Sequence, residues 1–334
     1  MTFPKYILPI IILSALASCS TTTKYITKNT RIEDGSTMYS NKVAILVPLS
    51  GANSNIGNEI VKACMLAVQK YPNVEVITID SEQIKNNLDS VVQKIRNNRI
   101  DYVIGPVFGR DATIIAGAMP DVLFLSMSND NSIAKGNTIM FGLNPEDEII
   151  SLFNHAVKLN SKKILAFIPD GIYGDLISQA INKSEIGDTY VRKIRYQSIT
   201  KNDVKKQLAE ADFDAVFCVS SDYVPANINN KMLVLLPYNA KNASSQGINN
   251  SLICAPNQSG KHQFEEYFQT NYGKKPADIA IIGYEISNIA LSACLNHKTA
   301  FDVLDHTYNG VFGDFYVGSD GIVTREWKIY RNVK

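Results

Sequence analysis

Short continuous apolar runs alternate with helix-like segments along most of this chain, and this alternation limits its possible folds more than any other feature. The runs VAILVPL (43–49), VEVITID (74–80), DYVIG (101–105) and VLFLSMS (122–128) are typical of strands buried on both faces. Segments such as NLDSVVQKIRN and ATIIAGAM lie between them and predict helices. Strands joined through helices form parallel sheets with right-handed crossovers, so the sequence predicts an α/β fold.

The same alternation restarts after TIMFGLNPEDE (138–148). A helix is predicted from Glu146, followed by the strand KKILAFI (162–168) and by further strand-like runs at TYVRKIRY, AVFCVS, MLVLL and SLICA. Near the C terminus a long helix is followed by a predicted hairpin over 314–330, with Asp320-Gly321 as its turn. The chain has 334 residues, of which 45% are hydrophobic, which is enough for two packed cores. We therefore predict two doubly wound parallel-sheet lobes.

The first twenty residues, MTFPKYILPIIILSALASCS, are typical of an export signal. Their apolar run, from Tyr6 to about Ala17, is shorter than the roughly 20 residues that span a bilayer. Its end, Leu16-Ala17-Ser18-Cys19, resembles the bacterial lipobox, in which cleavage precedes a cysteine that is then acylated. We predict a lipoprotein signal peptide over 1–18 and lipidation, palmitate included, at Cys19. An ordinary signal peptide with an incidental cysteine is the alternative.

Residues 19–40 form the predicted lipidated tether, because the segment after Cys19 is polar and has no apolar periodicity. In a Gram-negative host, Ser20 in place of an aspartate after the cysteine resembles the outer-membrane sorting signal. The predicted location is therefore the bacterial envelope, at the outer membrane and facing the periplasm. Contact with the membrane is expected through the lipid anchor only.

The other cysteines are Cys64 and Cys294 in predicted helices, and Cys218 and Cys254 in strand-like runs. An exported protein can form disulfides, but buried cysteines at such positions usually act as small hydrophobic side chains. We expect free thiols, with a Cys218–Cys254 bridge as the alternative.

Charge and motifs give no indication of an enzyme or a nucleic-acid-binding protein. The chain has 33 basic and 32 acidic residues, well mixed, so no basic stripe points to nucleic acid. Its four histidines form no C-x-x-C or H-E-x-x-H pattern, and neither a Walker A loop nor a G-x-S-x-G elbow occurs. We expect no cofactor, no metal and no catalytic residue.

Several stretches carry a family resemblance. KVAILVPLSGANSNIGNEIVKACMLAV resembles the opening of type I periplasmic binding proteins, the leucine/isoleucine/valine-receptor superfamily. DYVIGPVFG, DGIYGD, IIGYEISNIALSA and YNGVFGDFYVGSDG are similar to its recurrent stretches, in the same order. Within that superfamily, VPLSG, GPVFG, LFLSMSND, FGLNPEDE and FIPDGIYGD resemble penicillin-binding protein activators, lipoproteins that dock on and stimulate a peptidoglycan synthase. The best-known activators add an N-terminal helical-repeat domain, where this chain has only a short tether.

The resemblance implies a division of the chain into lobes. Three strands would cross between them. Lobe one would comprise 42–141 plus 260–312, and lobe two 142–259 plus 313–334, with a cleft between them.

The resemblance also implies which residues line the cleft. The slot of a carboxylate-binding serine falls at Gly109, and Asp130 occupies a threonine slot, where its charge would repel a carboxylate ligand. Tyr173 matches a tyrosine that covers the ligand. Tyr238 and Asn239 lie where amino-acid receptors place an acid for the ligand ammonium. The full set of cleft candidates is Ser50, Gly109, Arg110, Ser126, Ser128, Asn129, Asp130, Tyr173, Tyr238 and Asn239.

Each candidate also has a purely structural interpretation. Arg110 can form an exposed ion pair with Asp111. The run Ser128-Asn129-Asp130 can cap and turn the chain after a strand. Tyr173 can pack its ring while its hydroxyl stays in water.

Two functions follow from the resemblance. The first is a non-enzymatic regulator of peptidoglycan synthesis, whose partner is a peptidoglycan synthase of the penicillin-binding protein class. The alternative is a solute-binding receptor for an amino acid or related small molecule, whose partner is an ABC permease. The altered cleft residues and Ser20 favour the regulator.

Overall fold

The computed structural model describes residues 32–33, 36–37, 41–134, 136–226, 228–229, 231–240 and 248–332. The predicted signal peptide, Cys19 and most of the predicted tether lie outside the described residues. Within the tether, the two-residue strands β1 (Ile32–Glu33) and β2 (Ser36–Thr37) pair antiparallel.

The described part of the chain alternates strands and helices as predicted. The further strands are β3 Lys42–Val47, β4 Glu75–Asp80, β5 Tyr102–Ile104, β6 Leu123–Ser126, β7 Thr138–Met140, β8 Lys163–Pro169, β9 Tyr190–Tyr196, β10 Ala215–Phe217, β11 Leu233–Leu236, β12 Ser251–Pro256, β13 His306–Tyr308, β14 Phe315–Val317, β15 Val323–Arg325 and β16 Trp327–Asn332. The helices are α1 Ser54–Val68, α2 Gln83–Asn86, α3 Leu88–Asn97, α4 Gly109–Ala118, α5 Pro145–Lys158, α6 Ile172–Lys183, α7 Lys201–Leu208, α8 Lys261–Tyr272 and α9 Asp278–Leu295. Short 3₁₀ turns cover Asn131–Ile133, Ser221–Tyr223 and Ala300–Asp302.

Lobe one is built on a parallel sheet with the strand order β4-β3-β5-β6-β7. Its central strand is apolar throughout because both of its faces are covered. Val43 and Ile45 pack in one core with α1 and α9, whereas Ala44 and Leu46 pack in a second core with α3 and α4. A strand buried on both faces needs apolar residues at successive positions, which explains the run VAILV.

Lobe two repeats this design with the strand order β16-β12-β11-β10-β8-β9. All neighbouring strands are parallel except β16, which pairs antiparallel with β12. Helices α5 and α6 cover one face and α7 lies on the other. The structure is therefore an α/β fold of two doubly wound parallel-sheet lobes.

Three connections cross between the lobes, after β7, after β12 and after β15. The predicted C-terminal hairpin is formed by β14 and β15 only, while Trp327–Asn332 leaves it and pairs with β12. Phe315, Val317 and Val323 pack in the α1/α9 core of lobe one. We expected residues 313–334 to belong to lobe two. Residues 315–325 pack with lobe one instead, because their apolar side chains face its core.

Helix α9 is the central helix of lobe one. It is the one helix among the described residues that is long and apolar enough to cross a membrane, but 67% of its apolar 18-residue segment is buried inside the protein. That burial is typical of a core helix. Cys64, Cys218, Cys254 and Cys294 are buried free thiols, as expected, and Cys218 and Cys254 form no bridge.

Candidate functional site between the lobes

A cavity of about 360 Å³ lies between the two lobes. Strand order reverses between β3 and β5 in lobe one and between β8 and β10 in lobe two. In open α/β sheets, ligands bind beyond the carboxyl ends of strands at such points. The cavity is lined from lobe one by residues after β5 and β6 and at the start of α9, and from lobe two by residues of α5, the start of α6 and the segment after β11.

The segment after β5 brings backbone amides to the cavity. Gly105 has φ +110°, and a Cβ there would lie 2.2 Å from the Leu46 carbonyl oxygen, so the chain can turn here only with glycine. Helix α4 then begins at Gly109, where a Cβ would lie 3.0 Å from Ser128 Oγ. No side chain caps this helix at Phe108. Because free amides at a helix N-terminus carry partial positive charge, this wall suits an anionic or hydrogen-bond-accepting group.

The serines after β6 form a chain of local hydrogen bonds. Ser126 Oγ donates to the Pro106 carbonyl oxygen at 2.9 Å and accepts from the Ser128 amide at 3.2 Å. Ser128 Oγ in turn accepts from the Asp130 amide at 3.1 Å. Asp130 Oδ1 accepts from the amide and hydroxyl of Ser132, at 3.0 and 2.6 Å. Asp130 therefore caps the following 3₁₀ turn and does not line the cavity, so the expected repulsion of a carboxylate ligand has no basis in this geometry.

The structure brings together six of the ten cleft candidates. Those that line the cavity are Gly109, Ser128, Asn129, Tyr173, Tyr238 and Asn239. Those that do not are Ser50, Arg110, Ser126 and Asp130.

Ser50 and Arg110 have other surroundings. Ser50 Oγ donates to Asp80 Oδ2 at 2.6 Å. Arg110 is exposed, and among the described residues it forms no ion pair with Asp111. Asp111 is buried, neither of its carboxylate oxygens has a hydrogen-bond partner in the described structure, and burial raises its pKa. The structure thus shows no Arg110–Asp111 ion pair, although the charge of Arg110 opposes the rise in the pKa of Asp111.

Glu148 also lines the cavity, although no motif or family resemblance pointed to it as a cleft residue. It lies in the first turns of α5 and is only 5% exposed, and its Oε1 accepts a hydrogen bond from the Tyr238 amide. Burial raises the pKa of Glu148 to about 7, against the opposing effect of that hydrogen bond. Among the described residues, no lysine, arginine or histidine forms an ion pair with it. The available signal was its place four residues before Leu152, on the apolar face of the helix.

A second carboxylate of the cavity, Asp278, has its charge balanced by an ion pair. Lys261 Nζ lies 2.8 Å from Asp278 Oδ1 and donates to the Tyr238 hydroxyl at 2.9 Å. Burial raises the pKa of Tyr238, and the neighbouring Asp278 adds to this effect. The network thus joins lobe two, through Tyr238, to the first residues of α8 and α9 in lobe one.

Aromatic side chains complete the walls. Phe108 lies on the lobe-one side, Tyr173 on the lobe-two side, and Trp327 at the third crossover. Burial raises the pKa of Tyr173 to about 12, so its hydroxyl stays protonated at physiological pH. The described residues include no cluster of three or more His, Cys, Asp or Glu side chains that could hold a metal ion. Amides, hydroxyls, a carboxylate and aromatic faces equip the cavity to bind a small polar molecule.

Comparison with known sequences finds one matching family and several individual relatives. The LppC family, described as "LppC putative lipoprotein", matches residues 26–215. The penicillin-binding protein activator LpoA of Pasteurella multocida is 30% identical over 148 residues, which are 42% of this chain and 25% of that protein. The uncharacterised protein RP748 of Rickettsia prowazekii is 25% identical over 146 residues, 42% of this chain and 38% of that protein. The alignments thus span well under half the length of these relatives.

Solved structures share the fold over most of the chain. A branched-chain amino acid ABC transporter ligand-binding protein from Burkholderia xenovorans has a TM-score of 0.71 and 14% identity, over 88% of this chain and 90% of that chain. The LpoA C-domain of Haemophilus influenzae, described as a regulator of PBP1A, has a TM-score of 0.67 and 17% identity, over 88% of this chain and 98% of that chain. At these identities the likeness establishes the fold, which is that of type I periplasmic binding proteins.

Proposed function

The chain belongs to the LppC lipoprotein family, and from this premise we propose that it is a non-enzymatic envelope lipoprotein that regulates peptidoglycan synthesis. In this proposal Cys19 carries the lipid anchor, the protein faces the periplasm from the outer membrane, and its partner is a synthase of the penicillin-binding protein class. The synthase contacts an exposed lobe surface rather than the cavity.

The observation that carries the proposal is the likeness to LpoA in sequence and in fold. Sequence similarity reaches penicillin-binding protein activators from two organisms. Structural similarity extends over nearly the whole of the LpoA C-domain. The lipobox-like Leu16-Ala17-Ser18-Cys19 agrees with the lipoprotein family and with an anchored regulator.

The test uses the full lipidated chain, purified in detergent, as bait in envelope extracts of its host. Captured proteins are labelled with a fluorescent penicillin, and a labelled synthase is expected among them. The purified synthase should then polymerise glycan faster when the chain is added. The proposed regulatory function would be refuted if the synthase did not bind the chain and polymerised glycan at the same rate with and without it.

A solute-binding receptor is the second candidate, because the cavity takes polar groups from both lobes. The position of Asp130, which caps a turn instead of facing the cavity, removes one argument against this candidate. The two candidates differ in their partners. A receptor should capture an ABC permease in place of a synthase, and deletion of its gene should abolish uptake of the solute.

A further inference from the structure

The cavity between the lobes contains a buried carboxylate that lacks a counter-ion. Glu148 is 5% exposed and lines the cavity, and one of its oxygens accepts from the Tyr238 amide. An ionised carboxylate loses much of its hydration at such a site, and a single backbone hydrogen bond does not replace it. Among the described residues, no cationic side chain compensates this charge.

The other charged group on the cavity wall needs no further partner. Asp278 already has Lys261 at 2.8 Å, so the uncompensated charge of the cavity is that of Glu148. Tyr173 and Trp327 line the same cavity, whereas the Tyr238 ring already has Lys261 Nζ 5.5 Å from its centroid. Aromatic faces attract cations through their quadrupole, so these walls favour the same class of ligand as the carboxylate does.

We propose that this cavity binds a small organic ammonium compound, whose cationic group contacts Glu148. An ammonium group supplies the missing positive charge and up to three hydrogen-bond donors. On the lobe-one wall, the start of α4 and Ser128 suit an anionic or hydrogen-bond-accepting group of the same ligand. This site goes beyond the proposed function and does not depend on which protein partner the chain has.

Trp327 provides a direct signal for the test, because it is the single tryptophan of the chain and lines the cavity. The full lipidated chain in detergent and amine-free buffer is titrated with 5-aminopentanoate, 1,5-diaminopentane, alanine and glucosamine. Each is matched by a compound without the ammonium group: pentanoate, pentane-1,5-diol, propionate and glucose. At least one ammonium compound should change the fluorescence saturably and bind tenfold or more tightly than its counterpart. If no pair shows this difference, the proposal is wrong.

Glu148→Gln tests the assigned residue, because it keeps the side-chain shape and an acceptor for the Tyr238 amide but removes the charge. Affinity for the ammonium compound should fall at least tenfold. The matched control is Glu146→Gln on the same helix, where the carboxylate pairs with Lys183 outside the cavity and affinity should not change. Equal binding by wild type and Glu148→Gln would overturn the assignment.

A measurement on the wild type keeps the test independent of whether the variant folds. For the probes whose ammonium group stays protonated in this range (5-aminopentanoate, 1,5-diaminopentane and alanine), acidification from pH 8 to pH 6 should weaken binding, because the pKa of Glu148 is raised to about 7 and the proton competes with the ligand cation. The titratable groups whose charges act with Glu148 are Tyr173 of α6 and Cys254 of β12, while Tyr238 contacts it through its backbone amide. Burial raises the pKa of Tyr173 and of Cys254, so neither titrates in this interval. Affinity that is constant from pH 8 to pH 6 would contradict the proposal.

Discussion

The Tyr238 hydroxyl and the Lys261 ammonium group lie 2.9 Å apart and belong to different lobes. Tyr238 follows β11 in lobe two, and its amide donates to Glu148. Lys261 begins α8, just after the second crossover, and pairs with Asp278 at the start of α9. This contact therefore ties a cavity-lining segment of lobe two to two helices of lobe one.

Tyr238→Phe should lower the stability of the protein, because it removes this hydrogen bond and leaves the packed ring in place. A hydrogen bond to a charged group contributes about 1.5–3 kcal/mol, and its loss should appear as a lower urea midpoint. Tyr190→Phe is the control, because Tyr190 is 59% exposed and its change should alter stability by less than about 0.5 kcal/mol. Equal midpoints for the two variants would show that the contact between the lobes contributes nothing.

Glu285→Gln should destabilise lobe one far more. Glu285 Oε2 lies 2.7 Å from Arg325 Nη2, and the two side chains are only 1% and 3% exposed. Without the carboxylate, the Arg325 charge is buried alone, which costs about 3–5 kcal/mol. Glu75→Gln breaks the exposed pair with Lys42 and should cost less than about 1 kcal/mol in the same urea experiment. A similar loss in both variants would contradict this account.

The sequence predicted the parallel strands well because their burial on both faces leaves a direct signal. Strand β3 is a run of apolar residues whose alternate members enter two different cores. The final strand was predicted less well. Trp327–Asn332 looks like the continuation of a hairpin, but it pairs with β12, which is remote in sequence. Local patterns define a strand, whereas its partner depends on tertiary packing.

The residues of the cavity show the same limit of prediction from local sequence patterns. Glu148 reads as an ordinary acid in the first turn of a helix, where it interacts favourably with the helix dipole. Its burial results from the segments of lobe two packed around it, Tyr238 among them, and no local pattern records that. Asp130 is the opposite case. Position alone placed it at the ligand, but its local hydrogen bonds with Ser132 turn it into a cap.

Thiol labelling should find the cysteines free. The mature protein, denatured without reductant, should react at Cys64, Cys218, Cys254 and Cys294, while the native protein should react slowly. Burial shields these thiols and raises the pKa of Cys64 and Cys218 to about 12, so little reactive thiolate forms. Mass spectrometry after alkylation counts the labels. A mass two labels short of full reaction would reveal a disulfide.

Cys19→Ser should abolish membrane anchoring. Without the thiol no acyl chain can be attached, so the chain should appear in the soluble fraction or stay as an unprocessed precursor, and it should lose label from radioactive palmitate. Ser20→Asp is the matched variant, because it keeps Cys19 and should change only the membrane in which the lipoprotein is found. A Cys19→Ser protein that is still processed and still sediments with membranes would show that the anchor lies elsewhere.

Glu148 should also make the stability of the ligand-free protein depend on pH. Its pKa is raised from 4.5 to about 7, so between these values the folded protein holds a proton that the unfolded chain has released. Stability therefore falls as pH rises through this window, by about 3 kcal/mol in total, and the loss is complete above about pH 7.

Urea unfolding from pH 4.5 to pH 8 in amine-free buffers measures this dependence. Glu148→Gln should remove that part of the pH slope and be more stable than the wild type at pH 8, whereas Glu146→Gln should keep the contribution of Glu148. Asp111 and Asp147, whose pKa values are also raised by burial, contribute in the same direction and cancel in the difference between the wild type and Glu148→Gln. In Glu146→Gln, the loss of the neighbouring charge changes only the Asp147 contribution. An unchanged slope in Glu148→Gln would mean that Glu148 is hydrated in solution and is not an unpaired buried carboxylate.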